Sequence, residues 1–343
     1  MAENSTNLTT SATVPSLVYA SLFTLVFVLG LLLNSLAAWV FFQIRTKKRT
    51  FMLYLRNMLA ADLLMTLTLP VTILREVNME PFWLPLLSCR YTAVLFYSCM
   101  YINILFLGLV ALDRYLKIVR PFGGKCGDCL YSYSFTLAMA VVVWLAMLIL
   151  SVPNSILFRA YSMGESCMSQ KTKMGLNWHK IVVYTNIVIF STVLITLVTC
   201  YVSILRHIRL SSAQFVTGGP GGLREPRSEH NILVVPVMFF ICFVPYHIWR
   251  IPFTLSQTDK LFSPEVHDML LHGKKVMLLL SSCNVCLDPI IYFFMCKSFR
   301  SILARMIGIQ TLRQKSSIYS SIPGKKPNLV MRFKEHSSSS ISS

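Results

Sequence analysis

The feature that most constrains this chain is a series of seven apolar runs, each long enough to cross a membrane. They lie roughly at Leu17–Ile44, Leu53–Val77, Leu86–Val119, Tyr133–Phe158, Trp178–Ile208, Asn231–Leu255 and Lys274–Cys296. About 20 apolar residues in a helix cover the roughly 30 Å of bilayer hydrocarbon. Lipid offers no partners to backbone amides, so such runs must satisfy themselves as helices. Only 13% of the 343 residues are charged, against about 25% in a soluble domain. So few charges cannot cover a water-facing surface. The expected fold is an all-α membrane protein, a seven-transmembrane helix bundle.

The net charge is +18, and its basic clusters alternate with the apolar runs. That is the orientation signal of a membrane protein, and it excludes a nucleic-acid partner. The first connection carries Arg45, Lys47, Lys48, Arg49 and Arg56 without an acid, so it is expected in the cytoplasm. The connection around Arg206 and Arg209, and the tail after Lys297, fall on the same side. Seven crossings then put the N-terminus outside and the C-terminus in the cytoplasm of a multi-pass plasma-membrane protein. No cleaved signal peptide is apparent. Asn4 and Asn7 begin glycosylation sequons in the outer leader.

The expected organisation is a glycosylated N-terminus (1–16), the transmembrane domain (17–296), a membrane-surface helix (297–309) and a disordered Ser-rich tail (310–343). The surface helix is read from apolar Phe299, Ile302, Leu303, Met306 and Ile307 opposed by Arg300 and Arg305. Gly218–Gly222 reads as a flexible loop tip. The tail is either a phosphorylation target or a solubilising end.

Polar residues in lipid are costly and usually functional or paired. Asn34, Asp62, Asn103, Asn284 and Asp288 all fall within spans. Two carboxylates at one depth require a cation, a shared proton or a network of amides. One reading is a sodium ion held by Asp62 and Asp288, with Asn103 and Asn284 assisting. The plainer one is a hydrogen-bonded network with one acid protonated.

Asp113-Arg114-Tyr115 ends the third run at its cytoplasmic side. Asp113 is expected to hold Arg114 as an adjacent ion pair that a partner could break; Glu225 is a further candidate for Arg114. Cys89 and Cys167 fall outside the cell and can join. Cys126 and Cys129 lack a second ligand pair, so a metal site is not expected there. Cys283 and Cys286 read as packing residues, and Cys296 as a candidate for palmitoylation. Pro236 and the run Cys242-Phe243-Val244-Pro245-Tyr246 predict a kinked sixth span. Asp288-Pro289-Ile290-Ile291-Tyr292 predicts a kinked seventh.

Taken together, these motifs resemble the rhodopsin-like G-protein-coupled receptors over essentially the whole chain. Asn34, Asp62, Arg114, Trp144, Pro245 and Pro289 match family markers; Val193 stands where the fifth-span proline is usual, and Asp288 replaces the commoner asparagine. Phe243–Pro252, Cys286–Phe294 and the pairs around Tyr97 and Tyr101 resemble the purinergic ADP and UDP-sugar subgroup and the orphans clustered with it. Within that cluster the resemblance is strongest to the orphan member proposed to respond to lysophosphatidic acid. It implies a heterotrimeric G protein of the inhibitory type as partner, with arrestin and receptor kinases acting on the tail. It assigns activation to Asp113, Arg114, Tyr115, Phe243, Pro245, Pro289 and Tyr292.

For the ligand, His247, Arg250, Lys274 and Lys275 near the outer ends of the last two spans suit a phosphate, and Tyr97 and Tyr101 a base or an acyl tail. The alternative for Lys274 and Lys275 is a pair of solvated span flanks. The resemblance adds Asn154, His179 and Gln257 to the pocket. Phe253, Thr72, Lys275 and Val183 depart from the nucleotide-receptor pattern, so nucleotide and lysophospholipid remain open. No cofactor is expected beyond the sodium. A transporter would want an internal repeat, and an enzyme a nucleophile with its base. The sequence has neither, so catalysis is not expected.

Overall fold

The computed structural model describes residues 14–44, 50–77, 81, 83–120, 132–159, 167, 169–216, 227–258, 263–306 and 308, apart from the side chains at 14, 211–216, 227–232, 257–258 and 264. Asn4, Asn7, Cys126, Cys129, Gly218–Gly222, Glu225, Ile307 and the tail lie outside these residues. Among the described residues, seven helices are long and apolar enough to cross a membrane: Pro15–Gln43, Thr50–Glu76, Leu84–Ile118, Tyr133–Ile156, Lys173–Leu210, Leu233–Ser256 and Glu265–Met295. They are called the first to seventh spans below. A terminal helix, Lys297–Met306, follows the seventh.

The bundle has apolar flanks, and its interior holds the buried polar side chains within an apolar core. Leu32, Phe42, Ile149, Val188 and Ile195 are exposed on its flanks, whereas Asn34, Asp62, Asn103, Asn284 and Asp288 are all buried. This arrangement suits a hydrocarbon solvent, in which only the protein interior can pair polar groups.

Close approach is set by small residues. A Cβ on Gly30 would sit 2.8 Å from Val285 Cγ2, so the first and seventh spans touch there. At Gly108 the added atom would meet Val193 Cγ1 at 3.0 Å, which locks the third span to the fifth.

Prolines shape the last two spans. The sixth breaks at Phe243, between helical segments ending at Cys242 and starting at Val244, two residues before Pro245. The seventh breaks at Cys283, between Pro264–Ser282 and Asn284–Met295. Pro289 has no N–H for the carbonyl of Val285 four residues earlier. Asn34 of the first span supplies it instead, its Nδ2 donating to Val285 O at 2.6 Å. The unusual backbone of one span is thus satisfied by a side chain of another.

The seventh span begins about ten residues before the Lys274 start that hydropathy suggests, because Ser263 caps the helix and Pro264 occupies its first turn. The charged stretch from Glu265 to Lys275 is helical rather than loop. At the other end of the first span, Arg56 Nη2 donates to the carbonyls of Phe41 and Ile44 at 3.3 and 3.5 Å, closing that helix's C-terminus.

The Cys89–Cys167 disulfide forms, tying the outer loop to a π-helical turn at Ser88–Thr92. The same loop adds an isolated antiparallel bridge between Phe158 and Lys171. Phe299 of the terminal helix is buried against Phe41 and Tyr292. Cys296 is buried with its Sγ 3.4 Å from Met52 Sδ, so its thiol faces the core and not the lipid that palmitoylation would need.

Candidate functional site: an outer cation cluster above a buried acid pair

At the end of the bundle expected to face outward, side chains of five spans and one loop converge. The floor is made first. His247 stacks flat on Phe190, with centroids 3.7 Å apart. Its Nε2 lies 2.9 Å from the Tyr101 hydroxyl and its Nδ1 2.8 Å from Phe243 O. Tyr101 and His247 are both buried and bonded to one another, so they form the floor of the site. Their polar atoms are already spent on one another.

Above the floor stand the cations. Arg250 Nη1 donates to the Tyr246 hydroxyl at 3.2 Å, and its guanidinium lies 5.5 Å from the Tyr97 ring centroid. The Lys274 ammonium is 4.7 Å from the ring of Phe253. Lys171, on the disulfide-tethered loop, donates from Nζ to Asn154 Oδ1 at 3.1 Å. His179 is near enough to feel the charges of Lys171, Arg250 and Lys274 together. Among the described residues none of these three cations meets a carboxylate at ion-pair distance. Tyr97, Asn154, His179, Arg250 and Lys274 are therefore gathered as expected; the side chain of Gln257 lies outside the described residues.

The two adjacent lysines part company. Lys275 ion-pairs with Glu76 Oε2 at 3.0 Å and crosses to the second span. Lys274 turns inward, whereas Lys275 keeps its side chain 37% exposed. Sequence reasoning missed Lys171 and Arg75. Arg75 donates to Ser88 Oγ at 3.0 Å, and its charge reaches Lys274. The signal available for Lys171 was its place four residues after Cys167, on a segment a disulfide must draw inward. Burial, and then the charge of Arg250, lower the Lys171 pKa to about 8.

Deeper in, Asn103 Nδ2 donates to Asp62 Oδ1 at 2.6 Å and the Tyr292 hydroxyl to Asp62 Oδ2 at 3.0 Å. Asp288 lies beside Asp62, so the two carboxyls cannot both be ionised without a cation or a proton between them. Asp288 Oδ2, Asn103 Oδ1 and both amide atoms of Asn284 are buried without a partner. Oxygen donors left over in a dry site suit a small hard cation or a proton. Asn284 does not join the acid pair directly.

At the cytoplasm-facing end expected for the chain, one pairing differs from the sequence reading. Asp113 binds Lys117, with Nζ at 2.6 and 2.8 Å from its two carboxylate oxygens, and not Arg114. Neighbours in sequence diverge around a helix, whereas residues four apart share a face. Arg114 instead donates to Met295 O at 3.3 Å and lies 4.0 Å over the ring of Phe51. Tyr115 packs partly buried against the core, and Trp144 Nε1 bonds Asn57 Oδ1 at 2.9 Å.

The family model for the 7 transmembrane receptor (rhodopsin family) matches residues 33–292. The chain is 46% identical over 293 residues to G-protein coupled receptor 87 of Mus musculus, covering 84% of this chain and 80% of that one. It is 40% identical over 312 residues to purinoceptor 14 of Bos taurus, covering 90% of each. With purinoceptor 13 of Homo sapiens it shares 37% over 308 residues, 89% of this chain and 85% of the other. The chain belongs to the rhodopsin family of seven-transmembrane receptors, in the branch that holds the purinoceptors, and is a receptor rather than an enzyme.

Proposed function

We propose that this receptor is switched by an extracellular anion bearing a phosphate, and that it signals through a heterotrimeric G protein of the inhibitory type. The observation that carries the reading is the cluster of Arg250, Lys274 and Lys171, three half-buried or buried cations with no described carboxylate beside them. Charges taken from water need a counter-charge, and a ligand phosphate supplies one. Tyr97 and Phe253 flank the cations and suit either a base or the first methylenes of an acyl chain. A nucleotide and a lysophospholipid both fit this chemistry, and the purinoceptor relatives favour the first.

In the proposed mechanism the phosphate bridges Arg250 and Lys274 and draws the outer halves of the sixth and seventh spans together. The break at Phe243 lets the inner half of the sixth span swing. Asp62 and Asp288, with Asn103, would hold a sodium ion or a proton at rest, which would balance the carboxylate charge and favour the inactive arrangement. Arg114 then leaves Met295 for the G protein, with arrestin and receptor kinases acting later on the tail. The agonist acts only through its preference for the active state.

The test is guanine-nucleotide exchange on reconstituted inhibitory G protein with ADP, UDP-glucose and lysophosphatidic acid. Arg250→Ala and Lys274→Ala should each raise the half-maximal concentration about 10- to 100-fold, as loss of a charge-assisted contact does. Arg114→Ala should bind agonist and not promote exchange. Unchanged potency in both cation variants would remove the anion reading.

A further inference from the structure

At the same end of the bundle as the cation cluster, an ionic contact joins the second and seventh spans. Lys275 Nζ lies 3.0 Å from Glu76 Oε2, and both side chains are partly exposed. Among the described residues this is the ion pair that links two spans; Asp113 with Lys117 lies within one turn of the third. The first span braces the contact from the side. Ser16 donates from its hydroxyl to the carbonyl of Glu76, and the Tyr19 ring centroid is 5.8 Å from the Lys275 ammonium. The sequence neighbours of the pair face elsewhere. Arg75 donates to Ser88 Oγ at 3.0 Å, and the Lys274 ammonium stands 4.7 Å from the Phe253 ring of the sixth span. Consecutive residues point about 100° apart around a helix, so Lys274 addresses the sixth span and Lys275 the second.

Two adjacent lysines thus tie one turn of the seventh span to opposite sides. We propose that Glu76 and Lys275 form a breakable latch that holds the seventh span to the second in the ligand-free receptor, and that an anion seated on Arg250 and Lys274 opens it. What opens the latch rests on the anion reading above; what holds it rests on the ion pair alone. One turn of helix moves as a unit, so the seventh span cannot carry Lys274 toward Arg250 without drawing Lys275 from Glu76. Partial exposure keeps the pair weak, because water screens both charges. A weak contact suits a restraint that opens at each activation, whereas breaking a fully buried pair would strand two charges out of water. Glu76 and Lys275 are positioning residues: they touch no ligand in this scheme and set how readily the seventh span leaves its resting place.

The first measurement is amide hydrogen exchange of the purified, ligand-free receptor over residues 265–275. Glu76→Gln and Lys275→Gln should each speed exchange there about two- to five-fold, the range of a partly exposed ion pair. The double Gln variant should match either single one, because both remove the same contact. The charge-swapped pair, Glu76→Lys with Lys275→Glu, should return to the wild-type rate, which separates a lost latch from a damaged fold. Lys180→Gln, an exposed cation at the start of the fifth span, should change nothing. Agonist-free guanine-nucleotide exchange should rise by the same factor in both single variants. ADP, UDP-glucose or lysophosphatidic acid, whichever the wild type answers, should act on both at lower concentration. Unchanged amide exchange in the single variants, or no rescue by the swap, overturns the latch. Higher potency for Glu76→Gln with lower potency for Lys275→Gln would make the pair a mere contributor to the field of the ligand site, and also overturns it. Faster amide exchange with signalling unchanged would leave a structural brace and overturn the role in activation. A wild type silent to all three ligands counts against the anion reading alone, because hydrogen exchange reads the latch without a ligand.

Discussion

His247 has one tautomer open to it. A carbonyl only accepts, so the nitrogen facing Phe243 O carries the hydrogen, and in the neutral ring Nε2 accepts from Tyr101. Both ring nitrogens are therefore paired, and the ring cannot also bind a phosphate strongly. The cations above it must do so. Lys171 makes that site sensitive to pH. Its pKa of about 8 lies well below the ordinary lysine value, because it is buried near Arg250. An anion binds the charged form, so affinity is full below about pH 8 and falls as Lys171 loses its proton above it. Agonist potency measured from about pH 7 to 9 should decline across that pKa, while Lys171→Arg should flatten the profile and Lys171→Gln should be weak throughout. A wild-type profile that stays flat would mean the loop lysine does not meet the ligand.

At the scale of elements, the kinked seventh span depends on the first. Asn34 donates to both Gly30 O and Val285 O, and the second carbonyl is free only because Pro289 lacks an N–H. Asn34→Leu should destabilise the receptor by about 1–3 kcal/mol, the cost of a buried carbonyl left unpaired. Pro289→Ala restores an N–H for that carbonyl. In that background the same Asn34→Leu change should cost about 1 kcal/mol less, a non-additivity readable in thermal unfolding. Strict additivity would show that the two residues do not share the carbonyl. The outer halves of the sixth and seventh spans are coupled differently. A Cβ on Gly273 would fall 2.0 Å from the ring of Trp249, so the absence of a side chain is what lets these spans meet under the cations.

Across the whole molecule, the acid pair lies between the outer cations and Arg114. Two carboxylates in contact cannot both be ionised without a cation. Tyr292, placed by its motif among the activation residues, turns out to donate to Asp62, so the motif reports directly on the pair. If sodium is the resting occupant, replacing potassium by sodium at constant ionic strength should lower agonist affinity. Asp62→Asn should abolish the difference. Equal affinity in the two salts would leave the shared proton as the resting state.

Much of this was legible in the sequence because hydrophobic length is local. The seven apolar runs, the basic clusters and the proline-bearing motifs each declare themselves within one helix or one connection, so spans, fold class and family needed no coordinates. Residues named one at a time from composition at a span end were read less well. Hydropathy averages over a window, so Ser263 and Pro264, which start the seventh helix early, could not outweigh the charges after them. Lys274 therefore lies well inside the helix and not at its start, as the apolar run suggested. Which partner a side chain meets is not local at all. That Asp113 takes Lys117, that Lys275 crosses to Glu76, and that Lys171 returns under its disulfide to Asn154 depends on helix rotation and loop closure. The sequence determined that polar groups would be sealed inside a lipid-facing bundle; only the tertiary structure decided how they pair, because in a dry interior each must find a partner on another span.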